Sequence, residues 1–444
     1  MMKINKVLTL SFLTVVFSVS SYAQEKVWTL EECVNYALEN NIAIQKGANT
    51  LLINEEDITA TKGSLLPSLS ANANQSLGLG NQELFPGQFV DRTSHSTNLG
   101  LRVNQTIFNG FRNTNLHKQA LLNLDRNQLE LNRIKDDISL NVVNSYLNVL
   151  FNKENLETAQ AQIEFSSKQL KQVQALVDAG VQPQANIYDV EATLSSDEQN
   201  LTVAENNYTL SILSLSQLLQ VPFEGFKVEI IEVDSPSAAL MYTDIQPILD
   251  YAYNNRYEIK VAEKNIELAE LDTEISKSGF MPNVGFSYGF GSNVFYSNLT
   301  DQEASFGNQL NDNKAHSFVL SVGIPIFSQF QNKTAVAKSK IRIENSKLDF
   351  DQAKLDLEAN IQRAFTDANA ALKAYEAAQK SVRAQKLAFQ NSQERYNLGT
   401  MNTFDLEQSR IQLINAQSRL INAKYDFVFK TKVLDYYLGK PITQ

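Results

Sequence analysis

Two long stretches that contain neither glycine nor proline constrain the fold more than any other feature of this chain. They cover residues 112–179 and 331–398, and each has 68 residues. Helix interiors exclude glycine and proline more strongly than any other residues. A helix of this length would span roughly 100 Å, far more than the helices of ordinary globular domains. Such a rod needs partners along its whole length, so the sequence predicts long helices packed as coiled coils.

The second half of the chain repeats the pattern of the first half. Gly180 and Gly399 are 219 residues apart, and near the start of each half Pro67 and Pro282 are 215 residues apart. Other pairs with these two spacings follow in the same order. An internal duplication explains this order, so both halves are predicted to contain the same succession of elements.

The sequence predicts four parts: a signal peptide (residues 1–23), a first repeat (24–222), an equatorial segment between the repeats (223–244) and a second repeat (245–444). Each repeat begins with short helices. In the first repeat the predicted strands 67–80 and 97–108 and the predicted helices 111–179 and 184–219 follow. In the second repeat the corresponding strands are 282–296 and 316–327, and the helices are 330–398 and 403–437.

The beginning of the chain has the form of an export signal. Lys3 and Lys6 precede a mostly apolar stretch over residues 7–19, and Ser21-Tyr22-Ala23 places small residues at the two positions that signal peptidase reads. The apolar stretch is short for a membrane span. The alternative is a buried N-terminal helix. The sequence favours export from the cytoplasm.

Charge and composition argue against several functional classes. The net charge is −10, from 39 basic and 49 acidic residues, whereas nucleic-acid binding needs a basic surface. A single cysteine, Cys33, excludes a disulfide framework, and His95, His117 and His316 are too far apart in sequence to suggest a metal centre. No phosphate loop, nucleophile motif or carboxylate pair stands out. Neither an enzyme nor a cofactor is predicted.

The glycine- and serine-rich segments alternate between large apolar and small residues. Such alternation over about ten residues is typical of strands that cross an outer membrane. Seven residues are therefore predicted to face lipid: Val284, Phe286, Tyr288, Phe290, Phe318, Leu320 and Val322. Residues 69–74 and 98–104 alternate more weakly, and the polar stretches 81–96 and 297–315 are predicted to be extracellular loops. The alternative is a pair of amphipathic hairpins on a soluble core.

Four such strands cannot form a membrane pore by themselves. Each unpaired backbone group in hydrocarbon costs several kcal/mol, so an open sheet edge is not tolerated there. Four strands are too few to close around a pore. Several copies of the chain must therefore share one barrel of eight, twelve or more strands.

Several segments resemble the TolC family of outer-membrane efflux channels, and the likeness covers essentially the whole mature chain. They are residues 28–41, 66–69, 107–110, 281–284 and 326–328, and Tyr396-Asn397-Leu398-Gly399-Thr400 ahead of Phe404-Asp405-Leu406. The resemblance implies a homotrimer with a twelve-stranded barrel above an α-helical tunnel. The fold class is thus mainly α with a membrane β-barrel.

The resemblance also implies two sets of site residues. Helix-tip residues that contact a periplasmic adaptor would be Gly180, Val181, Gly399 and Thr400. Asp405 would ring a pore constriction, with Asn186 and Gln408 at places where the family often has aspartate. An ordinary cap at the start of a helix is the alternative role for Asp405. Because Asn186 and Gln408 are uncharged, we expect a weaker cation gate than the family pattern implies.

The sequence and the resemblance together predict a passive export channel in the outer membrane of a Gram-negative bacterium, with a large periplasmic portion. Its partners would be a periplasmic adaptor, an inner-membrane transporter and outer-membrane lipid, in a tripartite efflux or type I secretion system. The alternative is a soluble periplasmic coiled-coil adaptor, which would also have an export signal and long helix pairs.

Overall fold

The computed structural model describes residues 26–231, 242–300 and 304–442. The predicted signal peptide lies outside the described residues, as do residues 232–241 of the predicted equatorial segment.

Helices dominate the described part of the chain. They are α1 (Leu30–Asn40), α2 (Ile42–Gly63), α3 (Arg112–Asp178), α4 (Ala185–Leu219), α5 (Gln246–Asn255), α6 (Tyr257–Lys277), α7 (Phe306–Asp312), α8 (Gln331–Asn397) and α9 (Thr403–Tyr437). The strands are β1 (Val27–Trp28), β2 (Ser68–Phe85), β3 (Gln88–Asn109), β4 (Lys227–Val228), β5 (Asn283–Ser297) and β6 (Ala315–Gly323).

The two long helices, α3 and α8, are the longest elements of the described part of the chain. Helices α3 and α8 have 67 residues each and fill the two stretches that lack glycine and proline. Each turns back at a glycine, Gly180 or Gly399, and packs against the shorter helix that follows it, so that α3 and α4 form one hairpin and α8 and α9 form a second.

The helices lie side by side in two rows. In the half near the long strands the order is α2, α3, α6, α8, and in the half near the hairpin tips it is α4, α3, α9, α8. The strands form one antiparallel sheet in the order β2, β3, β5, β6. The sheet and the helix row beneath it therefore end at corresponding elements, β2 with α2 and β6 with α8.

An apolar core around the middle of α3 joins the two hairpins. Tyr146 and Val142 of α3, Leu215 of α4 and Tyr425 of α9 belong to one buried cluster. The Tyr146 hydroxyl is almost fully buried and donates a hydrogen bond of 2.6 Å to the carbonyl oxygen of Glu229. This contact ties the segment between the two repeats to the centre of the long helix.

Three of the predicted strand boundaries are wrong: the end of β2, the start of β3 and the end of β6. The stretch 81–96 is not a loop, because β2 continues to Phe85 and β3 begins at Gln88, with Pro86 and Gly87 in the turn. Gly87 has φ +82°, a conformation that glycine adopts easily. Strand β6 ends at Gly323 rather than at residue 327, since Pro325 has no N–H to continue the ladder. Between β5 and β6, the predicted loop 297–315 includes the short helix α7.

Candidate functional site

The seven residues predicted to face lipid share one face of the sheet. The register places Val284 opposite Val322, Phe286 opposite Leu320, Tyr288 opposite Phe318 and Phe290 opposite His316. Directly opposed residues point to the same side of an antiparallel pair. On the edge strand this face is open, because the side chains of Phe318 and Leu320 are 71% and 66% exposed.

The same face continues onto the first strand pair, β2 and β3, where the alternation of apolar and small residues is weaker. Leu69 of β2 lies opposite Val103 of β3, which in turn lies opposite Tyr288 of β5. Leu101 lies opposite Phe290, and Leu69 is 72% exposed. The apolar face therefore extends from β2 across to β6.

The opposite face consists mostly of glycine, serine and asparagine. One row across it contains Asn72, Gly100 and Gly291, and another contains Ser70, Arg102 and Gly289. The sheet thus has one large apolar face and one face of small residues. Among the described residues of the protomer, each edge strand, β2 or β6, is paired on one side only.

The first helix tip ends in a tight capping motif. Gly180 has φ +74°, its N–H donates to the Val177 carbonyl at 2.8 Å, and the Val181 N–H donates to the Leu176 carbonyl at 2.9 Å. This pair of bonds defines a Schellman cap, which satisfies the last carbonyls of a helix. The cap leaves the Val181 side chain 69% exposed at the end of the hairpin.

The second tip repeats this geometry. Gly399 has φ +72°, its N–H donates to the Tyr396 carbonyl at 2.9 Å, and the Thr400 N–H donates to the Arg395 carbonyl at 2.9 Å. Two apolar side chains of the motif that carries the resemblance are also exposed here, Leu398 at 78% and Phe404 at 76%. Both hairpins therefore end in rigid turns with exposed apolar side chains.

The Gly399→Ala substitution is expected to destabilise the second tip by about 1 kcal/mol or more, because an L-residue with a Cβ disfavours positive φ. The measurement is the free energy of unfolding in guanidinium chloride, followed by circular dichroism. Gly63→Ala is the matched control, since Gly63 ends α2 without a positive φ and a Cβ there would meet no atom within 4 Å. Equal effects of the two substitutions would contradict the role assigned to the cap.

The predicted constriction residues lie in the first turns of the returning helices. Asp405 and Gln408 are exposed and lie one turn apart on the same side of α9. The Asp405 N–H donates to Asn402 Oδ1 at 2.8 Å, and Asn402 Nδ2 donates to Asp405 Oδ2 at 3.1 Å. Asp405 therefore also takes part in the helix cap. Asn186 of α4 is only half-exposed, and its side chain donates to Gln182 Oε1 at 3.3 Å.

A buried ion pair that the sequence analysis missed joins the two hairpins nearer the tips. Arg410 of α9 and Asp197 of α4 are 5% and 4% exposed, and Arg410 Nη1 lies 3.0 Å from Asp197 Oδ2. Arg410 Nη2 donates to Asp197 Oδ1 at 3.4 Å, and the Ser166 hydroxyl of α3 donates to the same carboxylate. Three helices therefore meet at one carboxylate.

Glu407 completes this cluster on the α9 side. Arg410 Nε and Nη2 donate to the Glu407 carboxylate at distances of 2.8–3.0 Å. Burial disfavours the charged guanidinium, but hydrogen bonds to Glu407 and Asp197 outweigh this effect and raise the pKa of Arg410. Arg410 therefore remains charged inside the interface.

The described residues offer no group of three or more His, Cys, Asp or Glu side chains suited to a metal ion. Within the same part of the chain, none of the helices combines the length and the apolar composition needed to span a bilayer.

A family model described as outer membrane efflux protein matches residues 33–220 and 248–440. The chain is 20% identical over 426 residues to the outer membrane protein TolC of Vibrio cholerae, covering 93% of this chain and 91% of the relative. It is 21% identical to the alkaline protease secretion protein AprF of Pseudomonas aeruginosa, covering 91% and 82%. The crystal structure of the outer membrane protein VceC from Vibrio cholerae superposes with a TM-score of 0.75 at 16% identity, covering 93% and 96% of the two chains.

Proposed function

We propose, because this chain belongs to the family of outer membrane efflux proteins, that three copies of it form one continuous exit channel through the outer membrane and into the periplasm. The observation that carries the proposal is a sheet with an open apolar face, whose two edge strands have no pairing partner on their outer side within the described part of the protomer. Lipid would cover the apolar face, and only further copies of the chain would pair both edges.

The helices beneath the sheet support a closed ring of copies. On α8, the edge helix, Ile341, Leu348 and Leu355 are all at least 60% exposed and recur every seven residues. On α2, at the other edge, Leu52 and Ile53 are 58% and 61% exposed. A seven-residue apolar repeat is the pattern of a coiled-coil seam. The α8 seam of one copy would pack against α2 of the next.

Three copies supply twelve strands, which is enough to enclose water. With strands about 4.8 Å apart and tilted by about 40°, a twelve-stranded barrel has a backbone radius of roughly 12 Å. The apolar face would lie outside, against outer-membrane lipid, and the face of small residues would line the pore. The seven predicted residues, Val284 to Phe290 and Phe318 to Val322 in alternation, would contact the acyl chains.

At the other end, the helix tips would receive the partners. Gly180, Val181, Gly399 and Thr400 form two capped turns with exposed side chains, and the neighbouring Leu398 and Phe404 add apolar surface. Such a surface suits the end of a periplasmic adaptor, which would connect the channel to an inner-membrane transporter. The channel would have no catalytic chemistry of its own, and energy would come from that transporter.

We test this assignment by the mass of the protein in detergent and by its location in cells. Native mass spectrometry of the purified protein should give three times the protomer mass, and membrane fractionation should recover the protein with the outer membrane. A stable monomer recovered in the soluble periplasm would overturn the proposal and revive the alternative of a soluble adaptor.

The Asp405→Asn substitution tests the proposed constriction. Three carboxylates around a narrow lumen would bind a trivalent cation, at about 1 kcal/mol or more for each close pair even in water. In planar bilayers, the concentration of hexaamminecobalt(III) that half-blocks conduction should rise about 10- to 100-fold in the variant. Asp178→Asn, which removes an exposed carboxylate from the other hairpin tip, should leave the block unchanged. If the block by hexaamminecobalt(III) were unaltered in Asp405→Asn, the proposed ring of three Asp405 carboxylates would be excluded.

A further inference from the structure

The four long strands contain only four Asp, Glu, Lys or Arg residues, and the register sorts them by the sign of their charge. Arg102 lies opposite Ser70 and Gly289, and Arg92 lies opposite Gly80, all on the face of small residues. Glu83 lies opposite Phe89, and Asp91 lies opposite Asn81, both on the apolar side of the sheet. The face of small residues therefore carries two arginines and no carboxylate.

Arg102 has surroundings that leave its charge uncompensated. Its side chain is exposed, its opposed residues Ser70 and Gly289 are small and neutral, and Gly100 and Asn104 flank it on the same face of β3. Within the described part of the protomer it takes part in no salt bridge. A guanidinium group stays protonated at any physiological pH.

Arg92 lies ten residues further along β3, which corresponds to roughly 33 Å of strand. Its guanidinium lies 5.4 Å from the centre of the Phe295 ring, and the side chain is half-buried. Phe295 belongs to the same face of β5, since it lies opposite Ser96. The Phe295 ring holds the Arg92 side chain against the sheet, near its outer end.

We infer that Arg102 forms a threefold ring of positive charge inside the barrel and that this ring is a binding site for small multivalent anions. The inference rests on the proposed function, because the face of small residues lines a lumen only in the closed barrel. Arg92 adds a second, partly shielded ring nearer the exit. The described strands place no carboxylate on this face to cancel either ring.

The dimensions of the barrel make such a ring effective. In a barrel of roughly 12 Å backbone radius, three extended arginine side chains bring their charges close to the axis. The Debye length is about 8 Å at physiological ionic strength, so the three fields overlap across the lumen. A lumen with one sign of charge raises the local concentration of the opposite ion. The exit is therefore selective for anionic solutes, whereas Asp405 would favour cations at the entrance.

The test is block of single-channel current in planar bilayers by hexacyanocobaltate(III), a trivalent anion, added to each side in turn. The concentration for half-block should rise about tenfold or more in Arg102→Gln, because three charges are removed from one ring. Arg92→Gln should have a smaller effect. Lys314→Gln is the matched control, because it removes a positive charge just before β6 begins, outside the strands, and should leave the block unchanged.

Three results would overturn the inference: no anion block of the wild-type channel, equal block in wild type and Arg102→Gln, or an equal loss in Lys314→Gln. Block by hexaamminecobalt(III) is measured in the same membranes and should be unchanged in Arg102→Gln. If the wild-type channel conducts ions but is not blocked by the anion, the inference of an arginine ring is wrong, whereas the proposed channel function still stands. Failure to form any conducting channel would count against the proposed function itself.

Discussion

Leu320→Lys is expected to reduce assembly of the protein in membranes to a small remainder, whereas Val319→Lys is expected to leave assembly nearly intact. The two residues are neighbours on β6, and both are exposed in the protomer, at 66% and 51%. They differ in the face that they occupy, because Leu320 lies opposite Phe286 on the apolar face and Val319 lies opposite Ser287 on the face of small residues.

The size of the difference follows from the solvent on each side of the barrel. A lysine on the lipid face of a barrel near the bilayer midplane costs about 2–4 kcal/mol, and three copies would carry the charge in one assembly. In the lumen a lysine stays in water and costs little. Both variants introduce the same side chain, so the difference in assembly between them reports which face of the sheet meets lipid.

The measurement is the fraction of protein recovered as folded, heat-modifiable oligomer in the outer membrane, judged by gel mobility with and without boiling. Leu320→Lys should reduce this fraction to a small remainder, and Val319→Lys should stay close to the wild type. The reverse order would mean that the small residues face lipid, and equal tolerance would mean that the sheet does not meet lipid at all.

The long helices could be predicted because their signal is local. The absence of glycine and proline over residues 112–179 and 331–398 predicts the helices, and Gly180 and Gly399 indicate where they end. The apolar face of β5 and β6 was equally readable, since large residues such as Phe286 alternate with glycine and serine. The TolC-like fold and the outer-membrane efflux function expected from the resemblance are confirmed by the comparisons.

Features that depend on contacts between distant residues could not be read in this way. The loop of the first hairpin is predicted too long, because asparagine, glutamine and threonine in 81–96 suggest a loop, whereas cross-strand pairing keeps most of these residues extended on both sides of the turn. Leu69 was a weak signal because alanine and asparagine follow it. Arg410 and Asp197 are 213 residues apart, and nothing local marks either residue as buried.

Asp197→Ala is the second substitution with a large expected effect. Glu407 still pairs with Nε and Nη2 of Arg410 in this variant, but the buried Nη1 loses its carboxylate, so we expect a cost of about 3 kcal/mol, the lower end for breaking a buried ion pair. The loss of stability should appear as easier local unfolding of the first turns of α9, where Arg410 lies. We expect amide hydrogen exchange over residues 406–414 to become about 10²-fold faster, since each 1.4 kcal/mol corresponds to a factor of ten and exchange reports local opening.

Two further variants distinguish the ion pair from general loosening of the tip. Asp197→Leu combined with Arg410→Met should restore most of the protection, because apolar residues of similar size often replace a buried pair without loss of stability. Lys168→Ala removes the exposed pair that Lys168 forms with Glu164 on α3 at 2.6 Å, and it should not change the exchange. If Asp197→Ala left the exchange of α9 unchanged, the two hairpins would be held together by the apolar core around Tyr146 rather than by this ion pair.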